Sequence, residues 1–122
     1  MNEHKHLMIS ADFLRDIFST SWYETWMSGL IEDLDMTPLV EPKAVRDKTK
    51  GNEGITAFSI ITTSHIVLHT WETIMPYKLQ LDVYSCKGFN VDTVIYRLKD
   101  FDIHNVKYKF LNRENGFINI DD

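Results

Sequence analysis

The chain has one cysteine, Cys86, and a lone thiol closes no internal disulfide, so the fold rests on a packed core rather than on cross-links. It also lacks a long apolar run. The opening MNEHKHLMIS is too polar for a signal peptide or a membrane span. There is no excess of positive charge: 13 Lys and Arg stand against 18 Asp and Glu, a net charge of −5. That balance disfavours nucleic acid and anionic membranes as partners, and suits a cationic or zwitterionic small molecule. Internal repeats and low-complexity tracts are missing too, which excludes solenoids and disordered linkers. What remains is one soluble domain over residues 1–122, expected in a reducing cytoplasm, with 43% hydrophobic residues to build a single core.

The hydrophobic period changes several times along the chain. HLMISADF is short, apolar and bounded by charge, and reads as a first strand. From Ser21, a candidate N-cap, the period becomes helical, with Trp22, Trp26, Gly29, Leu30 and Leu34 near one face and Pro38 as the stop. A short strand around Leu39 and Val40 is expected to run into KAVRDKTKGNEG, which has two glycines and no apolar period and reads as a mobile loop. ITAFSIITTSHIVLHTW is too rich in β-branched residues for a helix and too long for one strand. It predicts two strands with a bend at Thr62 to Ser64. YKLQLDVYSC alternates, with Tyr77, Leu79, Leu81, Val83 and Ser85 on one face and Lys78, Gln80, Asp82, Tyr84 and Cys86 on the other. A second helix capped by Asn90 buries Val91, Val94, Ile95, Leu98 and Phe101, and VKYKFL supplies a last strand.

This order predicts an α+β fold, a two-layer sandwich with helices on one face of a largely antiparallel sheet. The other sheet face carries Asp82, Tyr84 and Cys86. Face-to-face pairing with a second sheet in a homodimer would cover it.

Ser64, His65 and His69 interrupt an otherwise apolar stretch, and each admits a chemical reading. His65 and His69 are four apart, but on a strand that spacing is about 13 Å, too far to chelate one ion, so no metal is expected. His4 and His6 read as a solvated terminal segment without chemistry. A Ser64, His69 and Asp82 triad is disfavoured, because Thr63 and His65 flank the serine where hydrolases of that kind use a glycine-flanked elbow.

The span GITAFSIITTSHIVLHTW followed by LDVYSC resembles the small prokaryotic S-adenosylmethionine decarboxylases, whose pattern is approximately G-V-S-G, a strand, E-S-H, three residues, H-T-W-P-E, then D-x-x-x-C. Ser64, His65, His69, Thr70, Trp71, Asp82 and Cys86 match, and HLMISADF looks like the family's opening H-L-L-x-D strand. The resemblance implies a proenzyme that cuts itself between Thr63 and Ser64 into chains 1–63 and 64–122, leaving Ser64 as a covalent pyruvoyl group with no metal. It assigns His69 as proton acceptor in processing and Thr56, in GITA, as the hydroxyl that assists it. The pyruvoyl carbonyl would form a Schiff base with the substrate amine, Cys86 would return a proton to the decarboxylated carbon, and Trp71 and Glu72 would contact substrate. The implied pathway is spermidine biosynthesis.

The chain departs from the pattern at four places. Thr63 replaces Glu before the scissile bond, WET replaces W-P-E so that Thr73 holds the position of the family's acid, Lys50 stands where an adenine-stacking aromatic is usual, and ETIMPYKLQ is longer than its counterpart. These departures leave two alternatives: the same chemistry on arginine or ornithine, or a non-enzymatic homologue that keeps the fold.

Overall fold

The computed structural model describes residues 3–120, so the extreme ends of the 1–122 domain lie outside the described residues. The strands are β1 (Lys5–Phe13), β2 (Pro38–Asp47), β3 (Gly54–Ile61), β4 (Ser64–Trp71), β5 (Tyr77–Ser85), β6 (Ile103–Asn112) and β7 (Ile118–Asn119). They form one sheet in the order β2-β3-β4-β5-β1-β6-β7, antiparallel throughout. Helices α1 (Thr20–Asp33) and α2 (Val91–Leu98), the latter continued by a 3-10 turn at Lys99–Phe101, cover one face. The architecture is the α+β arrangement expected.

Strict alternation decides which side chains meet the helices. Leu7, Ile9, Ala11 and Phe13 of β1, Ile66 and Leu68 of β4, and Leu79, Leu81 and Val83 of β5 are buried on that side. Against them pack Tyr23, Trp26, Met27, Leu30 and Ile31 of α1 and Val94 and Leu98 of α2. Phe101 sits at the centre, with Phe13, Trp22, Tyr23 and Trp26 all within ring-contact distance. The second helix follows expectation: Asn90 caps it by accepting from the Asp92 N–H at 3.3 Å, and Val94, Leu98 and Phe101 are buried with Val91 and Ile95 packed beside them.

Three local expectations are corrected. Ser19, not Ser21, caps α1: its hydroxyl accepts from the Trp22 N–H, while Ser21 only bonds the Ser19 hydroxyl at 2.8 Å. The buried face is therefore centred on Tyr23 rather than Trp22, which is half-buried. KAVRD is not a loop but the second half of β2, paired with β3 from Lys43↔Phe58 to Asp47↔Gly54. Its charged residues hid the strand, because an edge strand with one wet face needs little apolar period. Its contacts instead are polar: the Ala44 N–H donates to Glu24 at 3.0 Å, and Arg46 donates to Glu72 at 3.1 Å and to the Phe18 carbonyl at 2.6 Å. Finally, β6 is longer than VKYKFL, and the two-residue β7 adds an edge that the sequence did not announce.

The face away from the helices is organised in cross-strand rows. One row runs Leu111, His6, Tyr84, His65, Ile60 and Val40; the next Lys109, Met8, Asp82, Val67, Phe58 and Lys43; the third Lys107, Ser10, Gln80, His69, Thr56 and Val45. Between β6 and β4 this face forms a shallow trough of about 810 Å³, lined by Met8, Val67, His69, Gln80, Asp82 and Lys107 among others.

Candidate active site

The bend between β3 and β4 carries the first group of site residues. Ile61 pairs with Ser64, so only Thr62 and Thr63 make the turn, and Thr63 adopts the left-handed region at φ 50°. A β-branched residue pays for that conformation in steric strain, and here the strained residue precedes Ser64. Ser64 is the first residue of β4, is 7% exposed, and shares its parity with buried Ile66 and Leu68. Its hydroxyl donates to the Thr62 carbonyl at 3.1 Å and accepts from the Cys86 N–H at 3.1 Å. Cys86 lies just past β5, with its Sγ 2.6 Å from the Thr63 hydroxyl and 3.8 Å from that of Ser64. These two hydroxyls, Thr63 more than Ser64, hold the thiol below its ordinary pKa against a weaker opposing effect of burial.

The second group lies elsewhere. His69 is exposed on the face away from the helices, and its Nδ1 shares a 2.8 Å hydrogen bond with the Thr56 hydroxyl directly across the β3–β4 pair. Five residues along a strand reverse the face and span about 16 Å, so the His69 imidazole of this chain does not reach Ser64. The β3–β4 turn and the end of β5 bring Thr63, Ser64 and Cys86 together; the β3–β4 pairing joins Thr56 to His69, and strand alternation keeps the two groups apart.

Trp71 stays beside His69, with ring centroids 6.1 Å apart, and its indole N–H donates to Asn52 at 2.9 Å. Glu72 is turned to the helix side, where Arg46 and the Thr70 hydroxyl donate to its carboxylate and only 5% of its side chain is exposed. Burial, reinforced by the Glu72 charge, pushes the neighbouring Tyr23 hydroxyl well above the usual tyrosine range. Gly54 is indispensable to this packing: a Cβ there would sit 1.8 Å from the Thr70 carbonyl oxygen. Lys50 lies in the short β2–β3 connection, and Thr73 in the β4–β5 connection.

Asp82 does not serve His69, which removes the serine triad. Its two oxygens contact the Nε2 atoms of His6 and His65, the latter at 3.2 Å. The reading of His4 and His6 as a solvated segment without chemistry is corrected accordingly. His6 is an ordered β1 residue in this cluster, and His4 bonds the Tyr84 hydroxyl at 2.7 Å. The signal was in the sequence, since His6 alternates with the buried Leu7 and Ile9, but only the β1–β5 register shows that it meets Asp82.

A two-layer α+β domain with a serine and a thiol joined at a strained two-residue turn defines the class. Its fold matches the crystal structure of the adenosylmethionine decarboxylase from Aquifex aeolicus VF5, with a TM-score of 0.73 over 99% of this chain and 97% of that one, at 15% sequence identity. The chain belongs to the S-adenosylmethionine decarboxylase family, whose sequence model matches residues 6–114. The family is one of carboxy-lyases. No curated protein sequence is matched significantly.

Proposed function

We propose that this chain is a pyruvoyl-dependent S-adenosylmethionine decarboxylase, a step of spermidine biosynthesis in the cytoplasm, that matures by cleavage between Thr63 and Ser64. The observation that carries this reading is the meeting of Ser64, Cys86 and the left-handed Thr63 at one turn. Attack of the Ser64 hydroxyl on the Thr63 carbonyl forms a C–O bond as the C–N bond breaks, giving an ester and a free amine. Loss of the Ser64 Cα proton expels the Thr63 carboxylate, and water then replaces the nitrogen, which leaves as ammonia. The residues present fit this route, and the resulting ketone supplies the carbonyl that condenses with an amine and accepts electrons on loss of carbon dioxide.

His69, supported by Thr56, is the proton acceptor, and it acts on the turn of a second copy. The separation of about 16 Å within one chain supports that arrangement, as does the trough-bearing sheet face on which His69 stands. Cys86 returns a proton to the substrate carbon, and Trp71 lies beside His69 where substrate contact is expected. The pairing of Glu72 with Arg46 supports a structural part for that carboxylate rather than a contact with substrate.

Denaturing mass spectrometry tests the reading. Two chains broken before Ser64 are expected, with Ser64→Ala leaving one intact chain; an uncut wild-type chain overturns it. Carbon dioxide release from carboxyl-labelled S-adenosylmethionine, exceeding that from arginine and ornithine, settles the substrate.

A further inference from the structure

One cluster is left unused by the decarboxylase reading. His6, His65 and Asp82 come from three adjacent strands, β1, β4 and β5, on the face away from the helices. One ligand atom from each, two imidazole nitrogens and a carboxylate oxygen, lies within 4.8 Å of the others. The three side chains converge from hydrogen-bonded strands. Unlike His65 and His69 along one strand, this set spans strands, so the roughly 13 Å objection does not apply.

We propose that His6, His65 and Asp82 bind one divalent transition-metal ion of the zinc class, through both Nε2 atoms and one Asp82 oxygen. Two imidazoles and one carboxylate form a borderline donor set that favours zinc, cobalt or nickel over calcium or magnesium, with water completing the coordination. None of the carboxy-lyase steps proposed above draws on His6, His65 or Asp82. His65 follows Ser64 in sequence but points to the opposite face, and the Ser64 hydroxyl, Thr63 and Cys86 already satisfy one another at the turn.

Arg113 controls entry. Its Nη1 donates to His6 Nδ1 at 3.2 Å, and because a guanidinium only donates, the proton of neutral His6 sits on Nε2, facing Asp82. Metal binding at Nε2 requires the other tautomer. The proton moves to Nδ1 and Arg113 gives up its bond. The guanidinium then keeps its place on the rings of Tyr84 and Phe117, 4.8 and 5.3 Å away. Arg113 is therefore a competitor of the ion, and its removal tightens binding.

The test uses the full chain without an affinity tag, stripped by chelator and titrated with Co²⁺. One equivalent should bind with visible ligand-field bands that Zn²⁺ abolishes. Removing either imidazole, in His6→Ala or His65→Ala, should weaken binding more than about 100-fold, since outer partners alone contribute 10- to 100-fold, whereas Arg113→Ala should tighten it about tenfold. Long-range ¹H–¹⁵N spectra of wild-type histidines with Zn²⁺ need no variant: His6 and His65 should report metal-bound Nε2, with His69 and His104 unchanged. Absence of Co²⁺ bands, or zinc shifts at other histidines only, overturns the proposal. Because the readout is binding, the result stands apart from whether the chain cleaves itself.

Discussion

At the level of single residues, the proposed cleavage between Thr63 and Ser64 would change the surroundings of the Cys86 thiol. In the uncut chain two hydroxyls stabilise its thiolate. Folding thus lowers the thiol pKa, so this group adds stability above its unfolded value and loses it as pH falls through the folded value. Cleavage removes the Ser64 hydroxyl and creates a carboxylate at Thr63, and both changes favour the protonated thiol that a proton donor needs. The iodoacetamide alkylation midpoint of Cys86 should lie below the ordinary thiol value in Ser64→Ala, where Thr63 still donates. It should rise when Thr63→Val is added, and be higher in the processed enzyme than in the uncut one. A midpoint indifferent to Thr63 would remove that hydroxyl from the account. Residue spacing made the bend before Ser64 and the strand ending near Cys86 legible, whereas their partnership came from the family resemblance alone. The separation of Ser64 from His69 was equally legible, since five positions on a strand invert the face, but motif matching alone passes over that parity.

At the level of elements, β2 shows why charge hides a strand. Its inner side is held by the Arg46–Glu72 ion pair and by Glu24 on the Ala44 N–H rather than by an apolar row. Arg46→Ala leaves a buried carboxylate without its cation and should cost about 3–5 kcal/mol in urea unfolding, while Arg46→Met with Glu72→Leu should cost far less. Gly54 makes the complementary point. The glycine that opens β3 is a turn residue by sequence, yet it is required because β3 and the Thr70 carbonyl approach too closely for a side chain. Gly54→Ala should lower stability by about 1–3 kcal/mol and, by moving β3 against β4, slow processing through the Thr56–His69 pair. Unchanged urea midpoints in both cases would show that this corner of the sheet is not held as described. The helices, the central strands and the start of β2 at Leu39 and Val40 were readable from the pattern; the KAVRD half of β2 and all of β7 were not, because edge strands depend on partners rather than on pattern.

For the whole molecule, the question to test is whether His69 of one chain serves Ser64 of another. A sheet with one face under helices and the other bearing Met8, Val40, Val45, Phe58, Ile60 and Val67 among polar groups offers a surface for a second copy. If the acceptor acts across such an interface, the two defects Ser64→Ala and His69→Ala complement each other. Each variant alone stays uncut, the first for want of a nucleophile and the second for want of a base. In a mixed dimer, the His69→Ala chain retains Ser64 and receives an intact Thr56–His69 pair from its Ser64→Ala partner, so it should be cut while the partner is not. Co-expression of the two variants, distinguishable by mass, should therefore yield fragments from the His69→Ala chain alone. If both variants stay whole in demonstrated mixed dimers, the base acts within its own chain, and the strand must then leave its present register to bring His69 across those roughly 16 Å.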